Sequence, residues 1–77
     1  MNVKIYTTSN CQWSKKAKDW LKKKKIIFQE FNVEEEQNYG YEVIQKTGQL
    51  AFPVIIVEDR YVVGFVEEQV EKLLKVK

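Results

Sequence analysis

The chain has 77 residues, a formal net charge of +2 and 44% hydrophobic residues, enough for one small domain with a compact core and no separate substrate domain. A single cysteine and no histidine exclude a disulfide framework, a zinc site of the Cys/His type and a Cys–His catalytic pair. The opening residues lack the long apolar run of a signal peptide and no stretch approaches membrane-spanning length, so a cytoplasmic location is expected, where a free thiol stays reduced.

The first strand is predicted over Asn2–Tyr6, where Val3 and Ile5 alternate with polar residues. Cys11 follows at the point where this strand gives way to a helix starting near Gln12 or Trp13. A sulfur at a helix start meets unpaired N–H groups and the positive end of the helix dipole, both of which favour thiolate over thiol. Ser14 lies three residues on, so one helical turn brings its hydroxyl back towards that sulfur. The backbone and the nearby lysines are the expected activators of the thiol.

Trp13, Ala17, Trp20 and Leu21 form a helical apolar stripe that carries this helix to about Lys24. Six lysines lie between Lys15 and Lys24 and a seventh is Lys25. They read as a solvated helix face, since cations suit a helix C-terminus and no arginine accompanies them, and no nucleic-acid partner is expected. A second strand is predicted over Ile26–Val33, which is β-branched and aromatic. The second helix begins in Glu34–Asn38, is carried by Tyr39, Val43, Ile44 and Thr47, and stops at Gly48. Pro53 opens the most apolar run, Val54–Val57, and reads from its position as a strand starter. A turn at Glu58–Arg60 leads to a strand over Tyr61–Val63, and Val66–Lys75 closes the chain as a helix. The order β-α-β-α-β-β-α implies an α/β fold: a parallel βαβ half and an antiparallel ββα half in one four-stranded mixed sheet flanked by three helices. Cys11 then lies at the carboxyl end of the first strand, where such folds place function.

The segments IYTTSNCQWSKKAKDWL, TGQLAFPVIIV and VVGF, in this order and spacing, make essentially the whole chain resemble a glutaredoxin, a member of the thioredoxin-fold superfamily. The resemblance implies a thioredoxin-like fold with a cis Pro53 facing Cys11. It also implies a glutathione or substrate groove formed by Trp13, Phe52, Pro53, Gly64, Phe65 and Val66, with the Phe52 backbone pairing to an extended substrate. The implied activity is monothiol thiol–disulfide exchange, with Cys11 as nucleophile, Ser14 as its hydrogen-bonding partner and glutathione as co-substrate. Glutathionylated or disulfide-containing proteins are the implied substrates, glutathione reductase or thioredoxin reductase the indirect electron sources, and a monomer without metal or membrane association is expected.

Three departures qualify the carry-over. Many family members have a second cysteine where Ser14 stands, and some have selenocysteine where Cys11 stands, so each residue is either native or a replacement. Typical glutathione anchors are absent at Thr8 and Gly40, which implies poor glutathione affinity. Val66 replaces the aspartate that caps the last helix and meets the γ-glutamyl ammonium. Two alternatives stay open: a dimeric carrier of a glutathione-ligated [2Fe–2S] cluster through Cys11, and a variant of a two-cysteine redoxin.

Overall fold

The computed structural model describes residues 2–75. Seven elements follow the predicted order: β1 (Val3–Thr7), α1 (Gln12–Lys23), β2 (Gln29–Asn32), α2 (Gln37–Thr47), β3 (Val54–Val57), β4 (Arg60–Val63) and α3 (Glu67–Lys75). The sheet order is β2-β1-β3-β4, with β1 parallel to β2 and antiparallel to β3, and β3 antiparallel to β4.

Alternation along the two central strands divides the core. Val3 and Ile5 of β1 and Ile55 and Val57 of β3 join Ala17 and Leu21 of α1 and Val70 and Leu73 of α3 on one face. Tyr6, Val54 and Ile56 point the other way and pack with Val43 of α2. Trp20 is half-buried against the first cluster, so Ala17, Trp20 and Leu21 face inward as their spacing predicts, while Trp13 at the start of the stripe is exposed. Ile44 differs from its prediction: it is 42% exposed, because only Val43 of α2 is fully enclosed by the sheet.

The second strand is shorter than its composition suggests. Ile26 is held by the end of α1, its N–H bonding to Leu21 O at 2.9 Å after Lys25 enters the left-handed region with φ 61°. Ile27 is 91% exposed, and pairing with β1 begins only at Gln29 opposite Lys4. Helix α2 starts at Glu36, whose carboxylate accepts from the Asn38 N–H, and ends at Gly48, whose φ of 79° is the left-handed stop.

Glu30 on β2 accepts from the Lys18 ammonium at 2.9 Å and from the Thr7 hydroxyl at 2.8 Å, tying α1 to the β1–β2 pair. Partial burial opposes its ionisation, but the Lys18 and Thr7 hydrogen bonds and the Lys18 and Lys22 charges outweigh it and hold its carboxyl below the ordinary range. A group with a depressed folded pKa stabilises the protein above its unfolded value and loses that contribution as pH falls through the folded value. Glu30→Gln is therefore expected to lower the urea midpoint at neutral pH, with the difference from the parent chain shrinking below about pH 4. A difference constant from neutral to acid pH would contradict this assignment.

Candidate active site around Cys11

Strand register builds the site before any side chain does. Tyr6 lies opposite Val54 and Val54 opposite Val63, so the next residues outward, Thr7, Pro53 and Gly64, form a row across one end of the sheet. The Gly64 N–H donates to Pro53 O at 2.6 Å, and the Phe52–Pro53 peptide bond is cis with Pro53 buried. Gly64 has a φ of 86°, a backbone conformation that disfavours side chains with a Cβ. The chain leaves β1 at this same end and enters the loop that carries Cys11.

Cys11 is the N-cap of α1, in extended backbone conformation with φ −93° and ψ 113°. Its sulfur accepts from the Ser14 N–H at 3.4 Å, the bond that a serine or aspartate oxygen makes at most helix starts. Its carbonyl meanwhile accepts the first helical bond from Lys15 N–H at 3.2 Å. Partial burial pushes the thiol pKa up, but the Ser14 hydroxyl, the Ser14 and Trp13 N–H groups and the Thr8 hydroxyl outweigh it. The net result is a pKa below the ordinary cysteine value, and hence a larger thiolate fraction at neutral pH.

The lysines expected as activators are not among the groups that lower the thiol pKa. Their long stems carry the charges elsewhere: the Lys16 ammonium lies 4.6 Å from the Trp13 ring centroid, and Lys18 reaches Glu30. Thr8 is the residue that sequence reasoning missed. The sequence marks it only as a lost glutathione anchor, whereas its hydroxyl favours the thiolate and its carbonyl accepts from the Cys11 N–H at 3.4 Å. Thr8→Val is accordingly expected to raise the Cys11 pKa and lower the exchange rate at neutral pH. Ultraviolet thiolate absorbance followed against pH tests it, and an unmoved midpoint would remove Thr8 from the site.

Ser14 is buried, and its Oγ lacks a well-formed hydrogen bond. It lies near enough to the sulfur to favour the thiolate, while the hydrogen bond from Ser14 to Cys11 runs through the backbone N–H. The loop itself is fastened to the end of β2. Asn32 Nδ2 donates to Ser9 Oγ at 3.0 Å, the Ser9 N–H donates to the Glu34 carboxylate, and the Glu34 N–H donates to Asn32 Oδ1 at 2.8 Å.

The other predicted residues divide by environment. Trp13 is 56% exposed in the first turn of α1. Phe52 is partly buried against the Tyr6–Val43 cluster. Phe65 packs its ring on Trp20, with centroids 6.0 Å apart, and so contributes to the core. Val66 is 47% exposed, and its carbonyl accepts from the Val70 N–H at 3.0 Å at the start of α3. Among the described residues, no helix is long and apolar enough to cross a membrane.

Comparison with known proteins bears directly on this arrangement. The glutaredoxin family model matches residues 3–62. An uncharacterized glutaredoxin-like 8.6 kDa protein in the rubredoxin operon of Clostridium pasteurianum is 36% identical over 73 residues, covering 95% of this chain and 97% of that protein. The glutaredoxin-like protein NrdH of Lactococcus lactis is 35% identical over 71 residues, covering 92% of this chain and 97% of that protein. The glutaredoxin-like NrdH-redoxin of Escherichia coli, whose structure is described as the basis of a thioredoxin-like activity profile, superposes with a TM-score of 0.82 at 25% identity, covering 95% of each chain. The strand order, the helix positions and the site-bearing loop are those of a thioredoxin-like fold, and the chain belongs to the glutaredoxin family of thiol–disulfide oxidoreductases.

Proposed function

We propose that the chain exchanges disulfides by a monothiol route, with Cys11 as the only exchanging sulfur and glutathione as the electron source. The observation that supports this reading is a lone thiol held at a helix N-terminus by donors that favour its thiolate. The thiolate attacks the glutathione sulfur of a mixed disulfide, forming a new S–S bond to Cys11 while the substrate sulfur leaves as thiolate and takes a proton from solvent. A second glutathione, as thiolate, attacks the glutathione sulfur on Cys11. Oxidised glutathione departs and the Cys11 thiolate returns, so glutathione supplies the two electrons that the substrate gains. The Ser14 and Trp13 N–H groups stabilise the charge on the sulfur at both ends of the cycle.

Thr8, Gly40 and Val66 supply no cation or carboxylate for glutathione, so binding of the reduced tripeptide is expected to be about millimolar or weaker. The test is turnover of a mixed disulfide of glutathione and 2-mercaptoethanol, coupled to glutathione reductase. Turnover that rises with glutathione through the millimolar range is the expected result. A complete lack of glutathione-dependent turnover would sink the reading.

The buried Ser14 favours a second reading. A buried hydroxyl without a well-formed hydrogen bond is costly, whereas a thiol there would lose little, since it behaves as a small hydrophobe. The Lactococcus and Escherichia relatives carry the NrdH name, and the latter's structure is described by thioredoxin-like activity. On this reading the working form is a two-cysteine redoxin. Ser14→Cys would then gain protein disulfide reduction supported by thioredoxin reductase, and no gain would dismiss it.

A further inference from the structure

Helix α1 departs from the usual distribution of charge at its N-terminal end. Helix α3 has Glu67 and Glu68 in its first turn and Lys72 and Lys75 in its last, as the helix dipole favours. Helix α1 has no acidic residue in its first turn, which instead contains Lys15, with Lys16 and Lys18 directly after it. Between Gln12 and Lys25 there are seven lysines against Asp19 alone. Lys22 and Lys23 in the last turn suit the dipole, but cations near a helix N-terminus weaken the helix slightly, so a solvated C-terminal face does not account for Lys15, Lys16 and Lys18.

Lys15, Lys18 and Lys22 line one open groove with Thr8 and Cys11. Asp19 and Glu30 also line it, but the Glu30 carboxylate is already occupied by Lys18 and the Thr7 hydroxyl. Lys15 and Lys22 form no ion pair among the described residues. The three lysines are three and four residues apart, one helix face, rising about 4.5 and 6 Å along the axis. From Cys11 to Lys22 the row extends about 16 Å, the reach of roughly five residues of extended chain, whose alternate side chains share a face about 6.7 Å apart.

We propose that this lysine row is a docking surface for an acidic, extended polypeptide segment flanking the disulfide of the protein on which Cys11 acts. The assignment rests on the thiol-exchange reading for the role of the segment, but not for its binding. A small anion would engage the ammonium of Lys15 or of Lys22, whereas carboxylates along an extended segment engage both, about 10 Å apart along the helix, with Lys18 held by Glu30 between them. A nucleic acid fits less well, because the row contains no arginine and Lys16 occupies one face of the nearby Trp13 ring.

The test is fluorescence anisotropy at low salt with a labelled, sulfur-free ten-residue peptide of alternating glutamate and serine. Its glutamine counterpart and a ten-residue oligothymidine are the comparisons. The glutamate peptide is expected to bind the reduced chain at least fivefold more tightly than the glutamine peptide, with the preference disappearing in molar salt. Lys15→Gln with Lys22→Gln is expected to weaken it about tenfold, the worth of two exposed ion pairs. Lys46→Gln with Lys72→Gln changes net charge equally on other helices, and its effect is expected to stay under about twofold. Equal binding of the two peptides, equal loss in both double variants, or preference for the oligothymidine would overturn the proposal. A companion assay compares glutathione mixed disulfides of cysteine-containing versions of the two peptides. Acidic preference in binding with no turnover of either disulfide would confirm the docking surface and refute the exchange reading.

Discussion

Replacing Cys11 by serine is expected to reduce turnover of any disulfide to the uncatalysed blank, a loss of at least about a thousandfold. On the proposed route every step places charge or a new bond on that sulfur, and an alcohol is essentially un-ionised where a lowered pKa gives a cysteine a larger thiolate fraction. The substitution is informative because the fold has no reason to suffer. A serine oxygen is a better N-cap acceptor than sulfur, so the Ser14 N–H keeps a partner and the urea midpoint should hold or rise slightly. Residual turnover above the blank in a folded Cys11→Ser chain would mean that the nucleophile has been misassigned.

The largest loss of stability is expected from Leu21→Ala. Leu21 is fully buried among Val3, Ile5, Ile55 and Val70, where α1 meets the sheet and α3. Removing a leucine side chain from such a site costs about 3 to 5 kcal/mol, through lost transfer energy and the cavity left behind. A chain of this size has only about 4 to 12 kcal/mol in total. The variant should therefore unfold at a much lower urea midpoint, and part of it should be unfolded without denaturant. Ile44→Ala, at a position 42% exposed on α2, supplies the contrast and should cost well under half as much. Similar losses at the two sites would show that the core has been placed wrongly.

Much of this was legible from periodicity. Val3 and Ile5 announce a strand and Ala17, Trp20 and Leu21 a helix, because each set repeats at the spacing of the surface that it buries, whereas Trp13, at the same spacing, stays exposed. Cys11 was legible for the same reason, since its place between the two patterns puts it at a helix start, where the structure makes it the N-cap. Ile26 and Ile27 misled because β-branched residues also occur where a helix is being closed, and only pairing with β1 decides where the strand starts. The part played by Thr8 depends on how the loop folds back over the sulfur, which no local pattern encodes. The lysines misled in the opposite direction, because closeness in sequence does not bring an ammonium to a sulfur when the stem can carry it to Glu30 or to an indole.

The sulfur's work as a helix cap ties the state of the thiol to the order of α1. A thiolate is a strong acceptor for the Ser14 N–H, whereas a sulfur in a mixed disulfide is neutral and holds that N–H weakly. Oxidation is thus expected to loosen the first turn, and the amide proton of Ser14 should exchange with solvent faster in a glutathionylated chain than in the reduced one. On the proposed glutathione route the same asymmetry would favour release: the loaded form would lack a contact that the empty form regains, so the first turn of α1 would act as a small spring returning the cycle to its start.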